Sequence, residues 1–153
     1  MSNIDLEKIK HYCAYQERCH SEVRSKLLEM KVYGLELENY ISILIEENFL
    51  NEERYACSYA RGKFRFKHWG KTKIRYQLKA KQISPYLINK AMQEIDDEEY
   101  WQVLSTLAEK KILSLHAEKN KFAKISKVRN YLLQKGYEQG LIYEVMKELG
   151  VTD

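Results

Sequence analysis

The chain has 153 residues, enough for one domain or a few very small ones, and its 44% apolar and 31% charged residues exclude a disordered protein. One proline and six glycines are too few for the many turns of a strand-rich fold, so the composition favours helices. The net charge of +4 is unevenly spread: residues 1–50 balance to −3, residues 51–96 to +7 and residues 97–153 to zero.

Apolar residues recur at helical spacing nearly throughout. A first helix is expected over residues 3–16, with Ile4, Ile9, Tyr12 and Cys13 inward. A second starts near Ser21, a suitable cap with Glu22 in the first turn, and carries Val23, Leu27 and Met30. A third covers residues 35–48 through Leu37, Ile41, Leu44 and Ile45. Asn51 caps a fourth, with Tyr55, Ala56, Tyr59 and Phe66 on its apolar side. Gly70 opens a fifth, and Ser84-Pro85 starts a sixth. The acidic run 96–99 starts a seventh through Trp101, Leu104, Leu107, Ala108 and Ile112, because carboxylates are favoured at the positive end of a helix. The polar span 116–124 reads as a loop, and Gly136 suits the left-handed residue that ends a helix.

The pattern repeats. Shifting Val23, Leu27, Val32, Leu37, Ile41 and Leu44 by 51 positions gives Ile74, Leu78, Ile83, Ile88, Met92 and Ile95. Shifting these by 54 gives Val128, Leu132, Tyr137, Ile142, Met146 and Leu149, and Arg24, Arg75 and Arg129 coincide as well. Identical gaps in three places indicate an internal repeat. The expected fold is all-α: three tandem three-helix repeats, helix-turn-helix-like, in an elongated array. Their expected bounds are 1–50, 51–96 (the basic repeat) and 97–153. Nothing between them is rich in Gly, Ser or Pro, so no flexible linker is expected.

The positive charge of the middle repeat gathers in RGKFRFKHWGKTKIRYQLKAK, residues 61–81, with nine Lys or Arg and no acid. The cations are Arg61, Lys63, Arg65, Lys67, Lys71, Lys73, Arg75, Lys79 and Lys81, interleaved with Phe64, Phe66, Trp69 and Tyr76. Cations neutralise phosphates and release counterions, and aromatic faces stack on unpaired bases. These nine are the candidate partner or nucleic-acid-binding residues. On a helix, Lys71, Arg75 and Lys79 lie four apart and form a ridge beside the inward Ile74 and Leu78. The competing reading is a solvated face whose aromatics are core.

Signs of catalysis are scarce. The glycines are scattered and form no phosphate loop. His11, His20, His68 and His116 show no metal-ligand spacing, and neither do Cys13, Cys19 and His20. No cofactor, no metal and no enzyme activity are expected. The three cysteines, Cys13, Cys19 and Cys57, are odd in number and irregularly spaced, which fits reduced thiols in the cytoplasm. No stretch approaches the ~18 apolar residues of a membrane span, and MSNIDLEKIK has no apolar signal-peptide core.

Leu50-Asn51-Glu52-Glu53-Arg54-Tyr55-Ala56, then Gly70 to Leu78, then Lys81-Gln82-Ile83, resembles the central signature of the RecX family of recombination regulators. Tyr12, Tyr15 and Arg18 followed by Glu22-Val23 and Lys26-Leu27 resemble that family's N-terminal repeat, and Leu132 to Tyr137 its C-terminal one. Lys73, Gln77 and Gln82 depart from the usual Arg, Glu and Gly. The resemblance implies a non-enzymatic regulator of recombination and DNA repair. It would bind RecA filaments on single-stranded DNA as a monomer, with no membrane involved, and restrain ATP hydrolysis and strand exchange. Two other readings remain open at this point: a direct DNA-binding protein of helix-turn-helix type, and a helical protein-interaction scaffold without nucleic acid.

Overall fold

The computed structural model describes residues 3–152; Met1, Ser2 and Asp153, at the outer ends of the first and third sequence repeats, lie outside the described residues. Among the described residues there are nine α-helices and no strand. They are α1 (Asn3–Tyr15), α2 (His20–Glu29), α3 (Gly34–Glu46), α4 (Glu52–Lys67), α5 (Lys71–Ala80), α6 (Pro85–Met92), α7 (Asp97–Ser114), α8 (Lys121–Lys135) and α9 (Gln139–Glu148).

Local chemistry sets most of the helix starts. The amide of Arg54 donates to Asn51 Oδ1 at 2.9 Å, that of Leu87 to Ser84 Oγ at 3.3 Å and that of Glu99 to Asp96 Oδ2 at 2.9 Å. Each cap satisfies an amide that has no partner inside its own helix. Two starts differ from the sequence reading. Helix α2 is capped at Cys19, whose amide donates to Glu22 Oε1 at 3.1 Å; Ser21 instead donates its hydroxyl to the carbonyl of Lys81 at 3.1 Å. The expected loop at 116–124 stops at Asn120, because its side chain accepts from Ala123 N at 3.1 Å and starts α8 there.

The chain divides into two compact units, Met1–Tyr59 with Leu78–Ala91, and Ala60–Gln77 with Met92–Asp153. In the first, Ile9 and Cys13 of α1 pack with Val23 and Leu27 of α2 and with Leu37, Tyr40, Ile41 and Leu44 of α3. Leu6, Tyr12, Met30 and Phe49 are partly buried against this cluster. Ile4, expected inward, is exposed: the cluster begins one turn later, at Leu6. In the second unit the buried residues include Phe64, Ile74, Tyr100, Leu104, Val128, Leu132, Tyr137, Ile142 and Met146. Phe66 is turned out, on the side of α4 away from Phe64.

The repeat is visible in packing and in backbone. Seventeen of the eighteen aligned apolar positions are buried, and Leu149 is half-buried. Leu27, Leu78 and Leu132 are each fully buried. Three residues related by the same shifts, Lys31, Gln82 and Gly136, have left-handed backbones with φ of 65°, 65° and 100°. The amides that follow them, of Val32, Ile83 and Tyr137, donate to Leu27, Leu78 and Leu132 carbonyls at 2.9, 3.1 and 3.2 Å. One turn geometry thus closes the second helix of every repeat, with glycine present in one case.

Candidate functional site

Within the second unit, α4 ends in a tight turn at His68, whose φ is 56°, and α5 begins at Lys71. The first amides of α5 have external partners. Gly70 N donates to Lys135 O at 2.8 Å, Lys71 N to Tyr100 Oη at 2.8 Å and Thr72 N to Gly136 O at 2.9 Å. Tyr100 Oη in turn donates to the Glu138 carboxylate, and Tyr137 Oη donates to His68 O at 2.9 Å. The rings of Phe64, Tyr100 and Tyr137 stack successively, with centroids 5.8 and 5.1 Å apart. Burial pushes the Tyr100 and Tyr137 hydroxyls well above the usual tyrosine range, so both remain protonated donors. This scaffold fixes the base of α5 and the end of α4.

The nine candidate cations have different surroundings. Arg61 pairs with Glu94 at 3.3 Å. Lys63 and Lys73 hold their ammonium groups over the half-buried Trp69 ring, 5.0 and 4.6 Å from its centroid. Lys71 lies over Tyr100 at 4.8 Å and 3.4 Å from Asp97, with its side chain 19% exposed. Lys81 is half-buried. Arg65 and Lys67 at the end of α4 are exposed, and so are Arg75 and Lys79 on α5. The outward stripe of α5 is therefore Thr72, Arg75, Tyr76 and Lys79. Lys71 leaves the expected ridge because, in the first turn of α5, the Tyr100 ring and Asp97 attract its ammonium group.

The four aromatics separate in the same way. Phe64 is core and Trp69 is held between two lysines, but Phe66 is 82% exposed and Tyr76 is 70% exposed. Exposed aromatics beside unburied cations suit stacking and phosphate contact at once. Among the described residues, no group of three or more His, Cys, Asp or Glu side chains is placed to hold a metal ion. No helix among them is long and apolar enough to cross a membrane.

A second cationic segment lies outside residues 61–81. Residues 119–135 contain six Lys or Arg and no acid. Residues 97–153 as a whole still balance to zero, because nine acidic residues match their nine Lys or Arg.

Two family models match the chain: RecX, second three-helix domain, over residues 51–92, and RecX, third three-helix domain, over residues 97–146. The regulatory protein RecX of Clostridium perfringens is 31% identical over 165 aligned positions, which cover 97% of this chain and 77% of that protein. The chain belongs to the RecX family. The regulatory protein RecX of Clostridium botulinum (Eklund 17B) is 35% identical over 133 residues, 86% of this chain and 61% of that protein. The chain thus spans less than two thirds of the length of several curated relatives. A crystal structure of RecX from Lactobacillus salivarius matches with a TM-score of 0.84 at 26% identity, covering 99% of this chain and all of that one. Another RecX crystal structure matches with a TM-score of 0.83 at 24% identity, covering 94% of this chain and 70% of the other.

Residues of the RecX signature are largely structural in this chain. Arg18 lies over the Tyr12 ring at 3.7 Å and donates to the Tyr12 carbonyl at 3.1 Å. Arg54 is bound by the Glu17 carboxylate, and by Asn48 Oδ1 at 3.1 Å. Glu52 accepts from the His20 amide at 3.0 Å. Lys73, where the family carries Arg, uses its charge on Trp69.

Proposed function

We propose that this RecX-family protein is a non-enzymatic regulator that docks on RecA–single-stranded DNA filaments and restrains recombinase ATP hydrolysis and strand exchange. The observation that carries the reading is the acid-free segment 61–81, which presents Arg65, Lys67, Arg75 and Lys79 to solvent with Phe66 and Tyr76 among them. A filament of protein and DNA offers both anionic phosphate and unpaired or partly stacked bases, and these cations and aromatics complement both. Membership in a family of regulatory proteins supports the same reading. The protein acts in the cytoplasm as a monomer, its three repeats (1–50, 51–96 and 97–153) each contributing a three-helix unit. Cys13, Cys19 and Cys57 are in no disulfide, which fits a reducing compartment.

The test is ATP hydrolysis by the cognate recombinase on single-stranded DNA, with and without the protein. Charge reversal of Arg65, Lys67, Arg75 and Lys79 together abolishes the inhibition while the helical circular dichroism is kept. Reversal of the exposed Glu36 and Glu46 in the first unit has a smaller effect. A folded quadruple variant that still inhibits fully overturns the assignment of this face.

A further inference from the structure

The start of α8 is rich in lysine. Val128 and Leu132 anchor the helix and are fully buried. Among the described residues, Lys127 pairs with Glu118 at 2.8 Å, and Lys135 Nζ donates to the Lys67 carbonyl at 3.2 Å. Lys119, Lys121, Lys124 and Arg129 have no acidic partner there; Lys124 is half-buried and the other three are exposed. Lys121, Lys124 and Lys127 follow the i+3 row of the helix, so their charges form one line. Phe122, in the first turn, is 82% exposed; it lies on the flank of α8 away from Lys124, with Lys121 between them, and Arg129 lies two helical turns further along the flank of Phe122.

We propose that the first half of α8 is a second binding site in this unit, and that its ligand is single-stranded nucleic acid. Lys119, Lys121 and Lys124 contact successive phosphates, and Phe122 stacks on a base. The inference rests on the reading that the protein works on a filament containing single-stranded DNA, and adds a direct contact to the strand outside segment 61–81. Lysine chemistry favours this ligand over the alternatives. Protein interfaces are depleted in lysine at their centres, whereas compact ammonium charges suit phosphate oxygens. A membrane-surface helix needs a broad free apolar face, but the apolar face of α8 is already occupied by its own unit. Phe122 decides between strands, since a stacking ring needs an unpaired base.

Fluorescence anisotropy with a labelled oligothymidine, in the absence of recombinase and over a salt series, tests the site. The variant Lys119→Gln/Lys121→Gln/Lys124→Gln loses about tenfold in affinity at low salt. Its salt slope falls by about 2, as expected for three phosphate contacts on a single strand. Phe122→Ala weakens single-strand binding about tenfold, the worth of one stacked base. Binding to a duplex of the same length is unchanged in that variant. A triple variant that keeps helical circular dichroism and the parent salt slope overturns the site. So does equal weakening of strand and duplex by Phe122→Ala, or failure of the parent protein to bind the oligothymidine. Loss of filament inhibition with intact oligothymidine binding would assign α8 to a protein partner and likewise overturn it. The filament reading is judged separately: it stands if the parent protein inhibits the recombinase ATPase, whatever α8 does.

Discussion

Gly70 lies directly against Gly136: a Cβ added to Gly70 would be 2.3 Å from the Gly136 carbonyl oxygen. The obstacle is backbone, and it cannot move without breaking the bond from Thr72 N to the same carbonyl, 2.9 Å long. Both residues belong to the second unit. The close approach lets three amides at the base of α5 find their acceptors.

Gly70→Ala should therefore destabilise the protein by about 1–3 kcal/mol, the range for forced overpacking. Gly62 is the control. It lies inside α4, and an added Cβ would meet nothing within 4 Å. Gly62→Ala should stabilise by about 0.5–1 kcal/mol through helix propensity alone. Urea denaturation followed by circular dichroism measures both. Equal effects of the two substitutions would remove the significance of the contact.

The left-handed turn makes a second prediction. Gln82 holds φ at 65° with a side chain, where the resemblance to RecX proteins leads one to expect glycine. A Cβ in that region costs roughly 1–2 kcal/mol, partly offset by the greater freedom of glycine in the unfolded chain. Gln82→Gly should raise stability by about 1 kcal/mol, and Lys31→Gly, at the equivalent turn, by a similar amount. Thermal melts that fall for both would mean that these side chains make contacts worth more than the strain.

Tyr100 offers a third. Its hydroxyl accepts from Lys71 N at 2.8 Å and donates to Glu138. Tyr100→Phe keeps the ring stack but strands the first amide of α5, at a cost of about 1–3 kcal/mol for an unsatisfied buried donor. Hydrogen exchange at the Lys71 amide should accelerate more than exchange in α9. Unchanged protection at Lys71 would show that another group takes over.

Much of this architecture could be read in the residues. The spacing of Val23, Leu27 and Val32 and its two copies located the buried face of each repeat, because burial at fixed gaps leaves a periodic trace. Asn51, Ser84 and Asp96 announced their helices because capping is local chemistry. The turns at Lys31 and Gln82 left less trace, since neither residue prefers a left-handed backbone; tertiary packing imposes it. Its spacing from Arg75 and Lys79 alone puts Lys71 on the outward ridge. Its real environment depends on Tyr100, 29 residues away, which periodicity on one helix cannot reveal. The cations of α8 leave no mark on the net charge of residues 97–153, because acids elsewhere in that span match them.

The final prediction concerns alkaline pH. Cys13 is buried in the first unit, and that burial pushes its thiol up to about 11, with the nearby Arg18 opposing in part. An ordinary thiol in the unfolded chain titrates near 9.0. The folded state therefore keeps a proton that the unfolded state releases. Stability from this group is fully present below pH 9 and declines as the pH rises towards 11. Buried Tyr55, Tyr100 and Tyr137, whose hydroxyls burial also pushes up, extend the loss above pH 10. Cys13→Ala should melt lower than the parent at neutral pH, because it leaves a small void among Ile9, Val23 and Leu27. Its melting temperature should then fall less steeply than the parent's between pH 9 and pH 10, before the tyrosines contribute. Parallel curves for the two proteins over that interval would show that Cys13 is not the group whose ionisation unfolds the first unit.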